Sequence, residues 1–144
     1  MMRLHLCLMM ALTVFAPGAP ALHAQNVRPM VDDLARNWRR GDAGSIASAA
    51  ARSGVAVEID GDRHGPLNTR QVSAVLRRLF EERETLQVRP GMAKIVEGSP
   101  ERAFGEVVWT ARLRGTTEPQ RSTVFLAFTL ENARWRITEI RVLK

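Results

Sequence analysis

The sequence predicts an α+β domain, with three helices in its N-terminal half packed on a mainly antiparallel sheet. Three observations carry this. Apolar residues recur at spacings of three and four across 27–40 and 72–80, which is one face of a helix. They alternate across 104–113, 122–130 and 135–143, which is the period of a half-buried strand. The helical segments precede the run of strands instead of alternating with it, the order of an α+β fold. At 144 residues, 45% hydrophobic, the chain has room for one core and too much apolar content for a disordered tail.

Met1-Met2-Arg3, an apolar run of 13 residues from Leu4 to Ala16 and the small, breaker-rich tail Ala16–Ala24 have the form of a secretory signal peptide. The run is too short for a membrane anchor, which needs about 20 apolar residues. The expected organisation is a signal at 1–24, cleaved after Ala24 or alternatively after Ala21, and one domain at 25–144. The product would be exported, to periplasm or medium, without a membrane span. Cys7 lies within the apolar run after Leu6, so it reads as an ordinary signal residue and not a lipid attachment site. The remaining domain has no cysteine, hence no disulfide framework and no thiolate.

Val27, Met30, Val31, Leu34, Ala35 and Trp38 mark the first helix, with Pro29 in its first turn, Asp32 and Asp33 near its N-terminal end, and Gly41 as the stop. Asp42 is placed to cap a second helix through Ala43–Arg52. Val55–Ile59 alternates as a short strand, and Gly61–Pro66 reads as a turn. Asn68 with Gln71 three residues on forms a capping-box signal before Val72, Val75, Leu76, Leu79 and Phe80. The strands that follow are an irregular one over Leu86–Val96, interrupted at Pro90-Gly91, then Phe104–Leu113, Ser122–Leu130 and Trp135–Leu143. The last two carry apolar residues on both faces and are expected to be central.

The charge is +6, and 19 of the 21 basic residues are arginine, scattered among carboxylates as in Glu81-Glu82-Arg83-Glu84. That dispersion argues against nucleic-acid binding.

The ordered set of Trp38-Arg39-Arg40-Gly41-Asp42-Ala43, the strand Val55–Ile59, the helix Val72–Phe80 and the opening Trp135-Arg136-Ile137 resembles the nuclear transport factor 2-like superfamily. That group includes ketosteroid isomerase and the SnoaL-type cyclases, and small exported bacterial members have no assigned function. The resemblance implies a cone-shaped α+β barrel with a conical pocket. It also implies that a homodimer through the sheet is a partner to consider.

Enzymes of that superfamily place an Asp, Glu or His base in the cone, and the isomerases add a tyrosine. This chain has no tyrosine, and His64 is its one histidine after residue 24. His64 with Asp60 or Asp62 is the candidate general base. Glu106 is a candidate only if it points into the cone, where burial would raise its pKa. Glu58 and Glu106 both fall opposite the core side of their strands. For a ligand pocket the candidates are Trp38, Phe80, Trp109 and Phe128, with Arg112 facing an anionic group; the same aromatics equally suit a core. Asp60-Gly61-Asp62 is too short for a calcium loop, and no Gly-rich phosphate loop or serine elbow is present, so no metal and no cofactor is expected. The preferred function is non-catalytic binding of a small apolar or anionic ligand, or of a protein partner. The alternatives are an isomerase-like enzyme built on His64 and a dimerisation or scaffold module.

Overall fold

The computed structural model describes residues 26–144, so the expected signal at 1–24 and Cys7 lie outside the described residues. Helix α1 spans Arg28–Arg40, α2 Ala43–Ala47 and α3 Thr69–Glu82. The strands are β1 Val55–Ile59, β2 Asp62–Leu67, β3 Arg83–Val96, β4 Arg102–Leu113, β5 Gln120–Glu131 and β6 Arg134–Leu143. They form one six-stranded sheet in the order β2-β1-β6-β5-β4-β3. Every neighbour pair is antiparallel except β1 with β6, which is parallel. β5 and β6 are central, as their two-sided apolar pattern requires. No described helix is long and apolar enough to cross a membrane.

Local signals set most boundaries. Gly41 ends α1 in the left-handed region at φ 64°, its N–H reaching the carbonyls of Asn37 and Trp38. The Asp42 carboxylate accepts from Ser45 N–H at 3.0 Å and caps α2. Asn68 and Gln71 complete their reciprocal capping box, both bonds at 3.0 Å.

Four expectations are corrected. Asp32 and Asp33 stand beyond the first turn of α1, where they pair with Arg28 at 3.5 Å and with Arg36. The second helix stops at Ala47 instead of Arg52, because β6 captures the backbone beyond it. Ala51 N–H donates to Ile137 O at 2.8 Å and Ile137 N–H to Ala49 O at 2.7 Å. Gly61–Pro66 is not a turn. Only Asp60 and Gly61 turn, both at positive φ, and Asp62–Leu67 returns as a strand against β1. A proline is tolerated there because β2 is the sheet edge. Finally, β3 runs through Pro90-Gly91 as a continuous strand with register shifts at 85–87 and 90–93.

The helices cover one face of the sheet, α1 across β3 and β4 and α3 against β3, β1 and β2. On that face Ala103, Val107, Trp109 and Ala111 of β4 and Val124, Leu126 and Phe128 of β5 are buried beneath Val31, Leu34, Trp38, Leu76 and Leu79. The opposite face carries Phe104, Glu106, Val108 and Arg112, all half-buried.

Candidate functional site

The interior of the cone is filled by the chain's own side chains. Trp38, Phe80 and Trp109 meet edge to face, with centroids 5.2, 5.5 and 6.1 Å apart. Trp109 Nε1 donates to Thr85 Oγ1 at 3.0 Å. Phe128 is a core residue apart from this trio, 1% exposed. The pocket candidates are thus divided: three aromatics come together, Phe128 stands separately, and Arg112 lies on the far face. Arg112 Nε reaches the Glu84 carboxylate at 2.8 Å.

That pair has a pH signature. The hydrogen bond and charge of Arg112 hold the Glu84 carboxyl below the usual glutamate range, and Glu84 in turn raises the Arg112 guanidinium. A depressed folded pKa contributes stability that is complete above the ordinary value of 4.5 and fades as pH falls through the lower folded value. The urea midpoint of Glu84→Gln is therefore expected to lie slightly below that of the wild type at neutral pH. The two should converge as pH drops below 4.5.

A concavity of about 620 Å³ lies in a groove between α3 and the β1–β2 hairpin. Its floor is apolar: Ile59 at the end of β1, Leu67 at the end of β2, and Ala74, Val75 and Leu79 on one face of α3. Its rim carries Asp60, Asp62, His64, Gln71, Arg78, Glu82 and Arg83. The hairpin that the sequence hides is what delivers Asp60, Asp62 and His64 to this groove.

The three candidates for general base chemistry are near neighbours but not a dyad. Asp60 pairs with Arg83, and with Lys144 at 3.8 Å. His64 is exposed on the edge strand, and no hydrogen bond joins it to Asp60 or Asp62. Glu106 pairs in register with Phe125 on the sheet face away from the helices, outside the cone. Glu58 is on that face too, held by Arg141 at 3.4 Å and Arg63 at 3.8 Å. No group of three or more His, Cys, Asp or Glu among the described residues is arranged to hold a metal.

Sequence reasoning missed Gln71, Arg78 and Arg83 as rim residues. In the sequence Gln71 is explained by capping alone, and Arg83 by the dispersed charge of Glu81-Glu82-Arg83-Glu84. The available signal was that Gln71 and Arg78 lie on α3, whose apolar face also supplies Ala74, Val75 and Leu79 to the floor, with Arg83 directly after its end.

Solved structures place this architecture. The chain has the nuclear transport factor 2-like fold. A DUF4783 family protein from Bacteroides uniformis superposes with a TM-score of 0.64 at 11% identity, over 77% of this chain and 93% of that one. An NTF2-like protein with a cystatin-like fold from Novosphingobium aromaticivorans gives a TM-score of 0.56 at 16% identity, over 82% and 79%. A putative calcium/calmodulin-dependent protein kinase type II association domain from Thiobacillus denitrificans gives 0.56 at 14%, over 78% and 90%. No protein-family model and no curated protein matches the sequence. At these identities the likeness establishes the fold and leaves the activity to be argued from the site.

Proposed function

We propose that this chain is an exported, non-catalytic binding domain that holds a small, mainly apolar ligand in the groove between α3 and the β1–β2 hairpin. The observation that carries this reading is an apolar floor of five side chains under a polar rim, in a concavity of about 620 Å³. That volume lies in the range of small-molecule sites, whose walls are mostly apolar with a few polar groups for orientation. Trp38, Phe80 and Trp109 pack on one another between the helices and β4, so binding energy in the groove would come from apolar area buried against Ile59, Leu67 and Val75. His64, Asp62 and Gln71 would orient a polar end. Export rests on the signal pattern of residues 1–24.

The test is titration with Nile red, a neutral apolar dye. Wild type is expected to bind one equivalent with a blue-shifted emission. Ala74→Trp, at an exposed position of the groove wall, is expected to weaken binding by at least about tenfold, or about 1.4 kcal/mol. Circular dichroism checks that the variant is folded. Equal affinities would remove the groove as the site.

A second reading, self-association through the outer sheet face, is favoured by one feature. Phe104 and Phe125 stack there with centroids 5.6 Å apart, both half-buried. A half-buried aromatic pair on an open sheet face is a feature of interfaces. Sedimentation equilibrium distinguishes the readings, since a monomer at all concentrations would rule this one out.

A further inference from the structure

The geometry points to a second site, a cleft that binds a multivalent phosphate-type oxyanion between the C-terminal ends of α1 and α3 and the end of β4. The cleft holds about 370 Å³ and is lined by five arginines, Arg39, Arg40, Arg77, Arg83 and Arg114, and by two glutamates, Glu81 and Glu84. Only one of the two counter-charges is engaged elsewhere, and the other, Glu81, remains as a single negative charge against the arginines. Glu84 is committed to Arg112 at 2.8 Å. Glu81 accepts from Arg114 through its backbone carbonyl, and its carboxylate makes no ion pair.

Arg83 is neutralised by Asp60. The other four arginines have no carboxylate partner within 4.0 Å, a state shared by Arg52, Arg70, Arg89, Arg102, Arg121, Arg134 and Arg136 elsewhere; what sets the four apart is that they line one cleft. Like charges crowded into one concavity repel, and a bound anion relieves that repulsion.

Three of the four are also held in place by neutral acceptors. Arg39 Nη2 donates to Val88 O at 2.8 Å, Arg40 Nη2 to Asn37 Oδ1 at 2.6 Å, and Arg114 Nε to Glu81 O at 2.6 Å. A carbonyl or amide oxygen fixes the fork and leaves its charge intact. The ordering cost of long side chains is thereby met before any ligand arrives. A planar fork with free N–H groups matches phosphate oxygens bidentately. The arginines converge from the ends of α1 and α3 and from the residue after β4, segments far apart in sequence. Only the fold assembles them.

The experiment is calorimetric titration of the full chain with inorganic pyrophosphate at low salt. Saturable one-site binding is expected. Arg40→Gln/Arg77→Gln removes two cleft charges at exposed positions and is expected to weaken it by roughly tenfold or more. Arg52→Gln/Arg134→Gln makes the same charge change at a different surface depression and is expected to leave it within about twofold. If the first pair fails to fold, Arg77→Gln alone, whose side chain makes no hydrogen bond in the structure, should still weaken binding about threefold. Equal losses in the two double variants, or no saturation in wild type, would overturn the proposal.

Vesicles of phosphatidylglycerol separate the two sources of such an anion. Pyrophosphate binding without co-sedimentation assigns a free phosphate compound. Co-sedimentation that pyrophosphate displaces assigns a lipid headgroup. Co-sedimentation unchanged by Arg40→Gln/Arg77→Gln would count against the cleft.

Discussion

Replacing Trp109 by alanine is expected to cost about 3–5 kcal/mol of stability, read as a lower urea midpoint at unchanged slope. Trp109 is 1% exposed and touches both of its aromatic partners, and its indole N–H is satisfied by Thr85. Truncation would remove the transfer free energy of the ring and leave a cavity walled by Trp38 and Phe80, two rigid groups from different helices that cannot both collapse into it. It would also leave the Thr85 hydroxyl without its donor and the Arg83 guanidinium without the ring face 5.7 Å beneath it. A domain of this size has about 5–15 kcal/mol in total, so the variant would stand near the edge of folding. Trp109→Phe keeps the ring packing and loses only the N–H contact, and is expected to cost much less. A Trp109→Ala loss below about 1 kcal/mol would mean that the trio lines open space and is not core.

That trio also marks where sequence legibility ends. The alternation of Val107, Trp109 and Ala111 gives the face of β4 correctly, and the spacing of Leu34 and Trp38 gives the face of α1. Whether three aromatics on three elements enclose a ligand or each other depends on interaxial distances of a few ångströms, which no periodicity encodes. The same limit applies to the arginines. Arg39-Arg40 at a helix end and Arg77 on a polar helix face each look like ordinary solvated charge, and only tertiary packing brings them beside Arg114. The β2 strand was hidden for a local reason. Gly65 and Pro66 are strong turn residues, but on an edge strand neither has to complete a ladder on both sides. Gly65 is needed there at φ 135°, where a Cβ would come within 2.9 Å of the Val55 carbonyl and Ala56 Cα. Asp60 and His64 were legible as candidates by residue type, and their groove was not, because its other wall is α3.

Gly105→Ala is expected to be destabilising by about 1–3 kcal/mol, although a methyl group added to a strand glycine ordinarily helps by restricting the unfolded chain. Gly105 sits on the helix-facing side of β4, under α1. A Cβ there would come to 2.5 Å from Val31 Cγ2 and 3.3 Å from Phe128 Cε2. Val31 is fully buried and Phe128 nearly so, and neither has a free rotamer to retreat into. The adjustment left is for α1 to lift from the sheet. Lifting it would strain the Arg28 bond to Gly91 O, now 2.8 Å, and would carry Arg39 and Arg40 out of their cleft. The double-mutant cycle with Val31→Ala isolates this cause. Val31→Ala alone leaves a cavity and costs stability, but it removes the atom that the new methyl meets. Gly105→Ala in that background should then be near neutral, giving a favourable coupling of at least about 1 kcal/mol. Additive losses in urea denaturation would show that the glycine is needed for its backbone and not for the seat it gives α1. If the coupling is found, pyrophosphate affinity should fall in Gly105→Ala and recover in the double variant, since the seat of α1 also sets the position of Arg39 and Arg40.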